Sequence, residues 1–188
     1  MMPSFYIVED EPSREEILLD TIQRIAASAL RRGYAPHGKA FNVCSRDIGN
    51  CLFEYPATYT GYASKKVLAN KYFHYTNGTK FRFTPDHIWP RQYAGNQIIL
   101  TVYEYGIVVK AVVKDLVLKF SQVTYVTSEE NNLLSKYQDS KEFMHPELAY
   151  REAGVQTVAW PAGTKITKLP EMYPELVVSS LEDINTIS

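Results

Sequence analysis

The junction at Gln122–Asn132 limits most strictly how this chain can fold, because a strand pattern there runs straight into a helix start. Val123, Tyr125 and Val126 form a short apolar run with β-branched residues. Ser128 then stands as the cap of a helix over 128–138, with Glu129, Glu130 and Asn131 in its first turn. Upstream, the stretch Thr84-Pro85-Asp86-His87-Ile88-Trp89-Pro90-Arg91 follows an aromatic run containing Phe81 and Phe83. Its carboxylate suits a hard cation, and its imidazole can accept a proton near neutral pH. Together the two stretches hold the parts of a hydrolytic centre.

The order of these pieces, Asp-His, then a strand ending Val126-Thr127, then Ser128-Glu129-Glu130-Asn131 opening a helix, resembles the HNH nucleases, whose ββα-metal fold occurs in phage homing endonucleases. The resemblance covers about residues 80–138. It implies an α+β fold with a ββα-metal core; the residues themselves add an N-terminal amphipathic helix and, as a departure from the family, a helical insertion between His87 and Gln122. It makes His87 the general base, and Asp86 with Asn131 the ligands of one divalent cation, Asn132 being the fallback. Gln122 falls where the family carries an Asn that orients the imidazole. Its amide offers the same donor and acceptor one methylene further out. Arg91, four residues after His87, is the candidate phosphate clamp. Oxygen ligands favour Mg²⁺ or Mn²⁺ over Zn²⁺. The implied function is metal-dependent cleavage of DNA by a protein of phage or mobile-element origin. The alternative is a non-catalytic DNA-binding regulator, or a viral interaction protein, on a decayed nuclease scaffold.

Composition narrows the remaining classes. The chain has 188 residues, 45% of them hydrophobic, with 14 Tyr and only nine Gly, so a packed core is expected rather than disorder. The net charge of −1 excludes a polycation, and any DNA contact must be local. No run of 18 apolar residues occurs and no basic-then-apolar leader follows Met1, which predicts a soluble, cytoplasmic protein, in a bacterial host if phage-encoded. No membrane or small-molecule cofactor is implied. Cys44 and Cys51, at C-x6-C spacing, match neither a zinc knuckle nor a redox motif and read as reduced thiols.

Taken in order, Phe5–Val8 reads as a short strand or docked arm. A helix begins at Ser13, with Ser13 and Glu16 as a capping box, Leu18, Ile22, Ile25 and Ala29 on one face, and Arg31-Arg32-Gly33 as its stop. Residues 34–57 read as irregular, broken by Pro36, Gly38, Gly49 and Pro56, and available as a DNA-reading loop. Thr60 is expected to cap a helix over 61–73 whose Lys65, Lys66 and Lys71, together with Arg82, are the candidate DNA contacts. Asn77-Gly78 predicts a hairpin joining Tyr72–Tyr75 to Lys80–Phe83, with His74 packed beside its aromatics. Residues 94–120 read as two helices separated near Gly106, with a hairpin as the alternative. Glu142, His145 and Pro146 follow the metal helix. Residues 1–150 are therefore read as the nuclease-like domain, and 151–188, with Trp160, Pro161, Gly163 and Pro170, as an extension of short strands or an extended arm.

Overall fold

A computed structural model describes residues 11–138, 143 and 145–187. The expected arm at Phe5–Val8 and the residue Glu142 lie outside the described residues. The fold is α+β. Its elements are α1 (Arg14–Arg32), α2 (Lys39–Glu54), β1 (Thr58–Ser64), α3 (Lys65–Thr76), β2 (Thr84–His87), α4 (Arg91–Tyr105), α5 (Lys110–Phe120), β3 (Gln122–Val126), α6 (Ser128–Tyr137), α7 (Pro146–Glu152) and β4 (Thr157–Ala159), then short helical turns ending in α8 (Leu169–Met172) and α9 (Leu181–Thr186).

The four strands make one sheet in the order β2-β3-β1-β4. β2 pairs antiparallel with β3, Asp86 lying opposite Thr124 and His87 opposite Val123. β1 runs parallel to β3, and β4 antiparallel to β1. Because β2 is an edge strand, Pro85 sits where a missing N–H is best tolerated. β2, β3 and α6 form a strand–strand–helix unit, and α4 and α5 occupy the connection between its two strands. No described helix is long and apolar enough to cross a membrane.

The helix α1 carries the expected capping box, and Gly33 closes it with φ of 59°. The two-helix reading of the insertion also holds, with Gly106 as the left-handed stop of α4. Four local expectations are corrected. Residues 39–54, read as irregular, are the helix α2. Thr60 lies within β1, and Ser64 caps the following helix by accepting from the Val67 N–H. The predicted hairpin is absent: Tyr72–Tyr75 end α3, Asn77 is its C-cap, and Gly78 takes φ of 65° to turn the chain toward β2. The Asn-Gly pair thus stops a helix by the same positive-φ chemistry that would have made a hairpin turn. His74 lies in that last helical turn, stacked on Phe81 and bonded to Thr79 at 2.6 Å. The N-cap of α6 is Thr127 rather than Ser128, reciprocating with Glu130 in a capping box.

The main core joins α1, α2, α4 and α5 through Ile22, Phe41, Ile48, Leu52, Ile98 and Val117. Glycine in α2 and α4 makes their crossing unusually close. A Cβ on Gly95 would lie 1.9 Å from the Ser45 carbonyl oxygen, and one on Gly49 would lie 2.5 Å from that of Arg91. Gly49 is therefore a contact surface inside a helix and not a helix breaker. Cys44 and Cys51, two turns apart on α2, are half-buried free thiols. A second core forms where the C-terminal turns pack on α3, through Leu68, Trp160, Leu169, Leu176 and Ile184. The segment after Gly154 thus supplies one short strand, β4, and helical turns that cover α3.

These helices should be sensitive to one added methyl. Gly95→Ala is expected to destabilise the chain by about 1–3 kcal/mol or more, since backbone rather than a movable side chain blocks the new atom. Urea unfolding followed by tryptophan fluorescence measures this, and a midpoint equal to that of the parent would refute the close crossing.

Candidate active site

The end of β2 is anchored before it is functional. Trp89, two residues past His87, is 8% exposed and meets Phe120 edge-on at 5.4 Å, with Tyr93 stacked on it at 5.7 Å. Pro90 then introduces α4, so Arg91 is the first helical residue. The strand is thereby fixed to the helical core at one end and to β3 along its length.

Alternation along β2 sends its two polar neighbours to opposite faces. Asp86 points toward α6 and α7, where it is 4% exposed. The Tyr150 hydroxyl donates to its Oδ2 at 2.5 Å, and the Gln138 amide donates to the same oxygen at 3.2 Å and to Oδ1 at 3.4 Å. Burial outweighs both bonds and raises the Asp86 carboxyl to about 6. His87 points toward α2. Its imidazole stacks on Phe53 with centroids 3.8 Å apart and planes inclined by 20°. The Arg91 guanidinium lies 3.8 Å from the same phenyl centroid, too near the ring to share a face with the imidazole. Phe53 therefore separates the two. Burial, and then the Arg91 charge, hold the His87 pKa below its ordinary value, so the imidazole is neutral at pH 7. Its Nε2 is buried with no hydrogen-bond partner.

Asp86, His87, Arg91 and Asn131 line one cleft of about 340 Å³ along the open edge of β2, joined by Phe53, Ser135 and Gln138. The strand–strand–helix unit brings these residues together across 45 positions of chain, from 86 to 131. Asn132 is exposed and is not among the cleft's lining residues. The placement of Gln122 departs from expectation. His87 faces Val123, and Gln122, one residue away, takes the opposite side of the sheet, where it lines a separate cavity with Tyr62, Thr124 and Tyr150. No hydrogen bond joins it to the imidazole in the structure; the orientation of His87 comes from the Phe53 ring.

The candidate DNA contacts lie elsewhere. Lys65 bonds the side chain of Gln156, Lys71 lies 5.5 Å over the Phe83 ring, and Lys66, on the same helix α3, is half-buried. Arg82 is exposed just before β2. None of the four is among the residues that line the cleft.

Phe53, Gln138 and Tyr150 are absent from the sequence reading. The signal for Phe53 was its place in the last turn of α2, obscured by reading Gly49 as a breaker. Tyr150 reaches Asp86 across 64 residues, and nothing local marks it.

Besides the His87 imidazole, the side chains of the cleft able to hold a cation offer oxygens: the Asp86 carboxylate, the Asn131 and Gln138 amides and the Thr84 and Ser135 hydroxyls. Among the described residues no three His, Cys, Asp or Glu side chains come together as a metal cage. The set fits a hard cation that keeps most of its water and takes one or two protein ligands. Fold and cleft together define an α+β protein with a one-carboxylate, one-imidazole centre on an edge strand. No family model, curated protein or solved structure matches the chain.

The raised Asp86 pKa sets the sign of a pH effect on stability. Folding lifts this group from 3.8 to about 6, so its stabilising contribution is complete below 3.8 and is lost as the pH rises through 6. Asp86→Asn removes the ionisation. Relative to the parent, the variant should gain stability between about pH 4.5 and about pH 7. Urea midpoints at the two pH values check this; a constant difference between variant and parent would contradict the burial of a titrating carboxyl.

Proposed function

We propose that the chain is a metal-dependent phosphodiester hydrolase that cuts DNA, working in the manner of HNH nucleases. The observation that supports the reading is the shared cleft: Asp86 and His87 from β2 and Asn131 from the first turn of α6 line one concave surface. Arg91 lines the same surface.

The chemistry follows from the state of each group. His87 is neutral at pH 7 and, because its Nε2 is buried, would take a proton from a water molecule through Nδ1, generating the hydroxide that attacks phosphorus. The bond from phosphorus to the leaving 3′ oxygen breaks, and that oxygen takes its proton from solvent. Phe53 holds the imidazole plane while this happens, a task a hydrogen-bonding amide performs in the family. Arg91, held over the other face of Phe53, provides a fixed positive charge for a phosphate oxygen. A Mg²⁺ or Mn²⁺ ion held by Asp86 and Asn131 would supply charge stabilisation for the phosphate and the leaving oxygen. Lys65, Lys66, Lys71 and Arg82 are candidates for contacts with flanking duplex, outside the cleft.

One observation favours a second reading. Gln122 leaves the imidazole without the amide partner that the resemblance called for, as expected of a scaffold that binds DNA without cutting it.

Nicking of supercoiled plasmid in Mg²⁺ or Mn²⁺ separates the two. The parent should nick, EDTA should abolish the activity, and His87→Ala should lower it by a factor of about 10² or more while leaving DNA affinity nearly unchanged. Asn131→Ala should raise the metal concentration needed, and Asn132→Ala should behave as the parent. Metal-independent binding with no nicking would establish the second reading.

A further inference from the structure

We propose that Tyr150 is a positioning residue for this cleft: its hydroxyl fixes one oxygen of Asp86 so that the carboxylate keeps a single orientation toward the cleft. The proposal rests on the reading of Asp86 as a cation ligand. Tyr150 belongs to α7, packed beside α6, and is buried with Val126, Leu134 and Val155. Its ring is therefore held by apolar contacts that do not involve Asp86, and only its hydroxyl reaches the carboxylate. That contact, at 2.5 Å to Oδ2, is the shortest hydrogen bond that Asp86 makes. Gln138 adds bonds to both oxygens at 3.2 and 3.4 Å and one to the His87 carbonyl at 3.4 Å, which ties the carboxylate to the strand that bears the imidazole. Oδ2 is thus occupied by two donors and Oδ1 by one long contact.

A buried carboxylate stripped of its nearest donor has two responses, rotation about its side-chain torsions or retention of a proton. Either one weakens it as a ligand, because a hard cation needs an ionised oxygen in a fixed place. Outer-shell donors of this kind typically change metal affinity by about 10–100-fold when removed. The sequence carries no local sign of the pairing, since the partners lie 64 residues apart.

The experiment is a titration of the full chain with Mn²⁺, read by the electron paramagnetic resonance of the unbound ion, for the parent, Tyr150→Phe, Asp86→Asn and Val155→Ala. Tyr150→Phe keeps the ring and should weaken Mn²⁺ binding by about 10–100-fold. Val155→Ala trims one contact of the apolar cluster while Val126 and Leu134 continue to hold the ring, and should bind Mn²⁺ as the parent does. Circular dichroism establishes that each variant is folded. If Tyr150→Phe binds as the parent while Asp86→Asn does not bind, the positioning role is overturned and the cation site stands. If Val155→Ala weakens binding as much as Tyr150→Phe, packing alone accounts for the effect and the positioning role is likewise overturned. If the parent and Asp86→Asn bind alike, the cation site fails, and the role of Tyr150 fails with it.

Discussion

The pleat of a four-residue edge strand is the constraint on which the rest of the site depends. Because successive side chains leave β2 on opposite faces, Asp86 must be served by one half of the molecule and His87 by the other. Asp86 meets Tyr150 and Gln138 on the side of α6 and α7; His87 meets Phe53 on the side of α2. The cleft exists only where both halves reach the same open strand edge. Each half therefore has to be placed independently, and the structure does so by two different means.

On the imidazole side the means is close helix packing. Gly49 and Gly95 let the backbones of α2 and α4 touch, which places Phe53 at the end of one helix beside Arg91 at the start of the other. On the carboxylate side the means is a buried polar link. Glu130 accepts from the Ser64 hydroxyl at 2.6 Å and from the Thr127 N–H at 2.8 Å, so one carboxylate joins the cap of α3 to the cap of α6. Removing a buried group of this kind leaves its partners unsatisfied, at about 1–3 kcal/mol each. The first turn of α6, which bears Asn131, is thereby registered against β1 as well as β3.

Local chemistry was enough to read α1, whose Ser13–Glu16 box and Gly33 stop act within a few residues, and the β3–α6 junction to within one position of its cap. The pair of helices between β2 and β3 was equally legible, and Asp86, His87, Arg91 and Asn131, singled out from the sequence, line one cleft. What failed did so where one residue type serves two geometries. Gly49 breaks an isolated helix but is required where two helices touch, and Asn77-Gly78 ends α3 as readily as it turns a hairpin. Gln122 failed for another reason. Strand parity puts it on the face opposite Val123, and a spacing count along one strand gives no face until the pairing with His87 is known. Tyr150 was out of reach because only tertiary packing brings it to Asp86.

The proposed function requires that the edge of β2 carry a site for one hard cation, held by Asp86 and Asn131, beside a neutral imidazole. Anomalous diffraction from crystals of the chain soaked in Mn²⁺ tests it most directly. The account predicts a single anomalous peak within oxygen-ligand distance, about 2.0–2.2 Å, of the Asp86 carboxylate and the Asn131 amide, with water filling the remaining positions. A peak coordinated by other residues, or a fully occupied Mn²⁺ site elsewhere with none in this cleft, would contradict it.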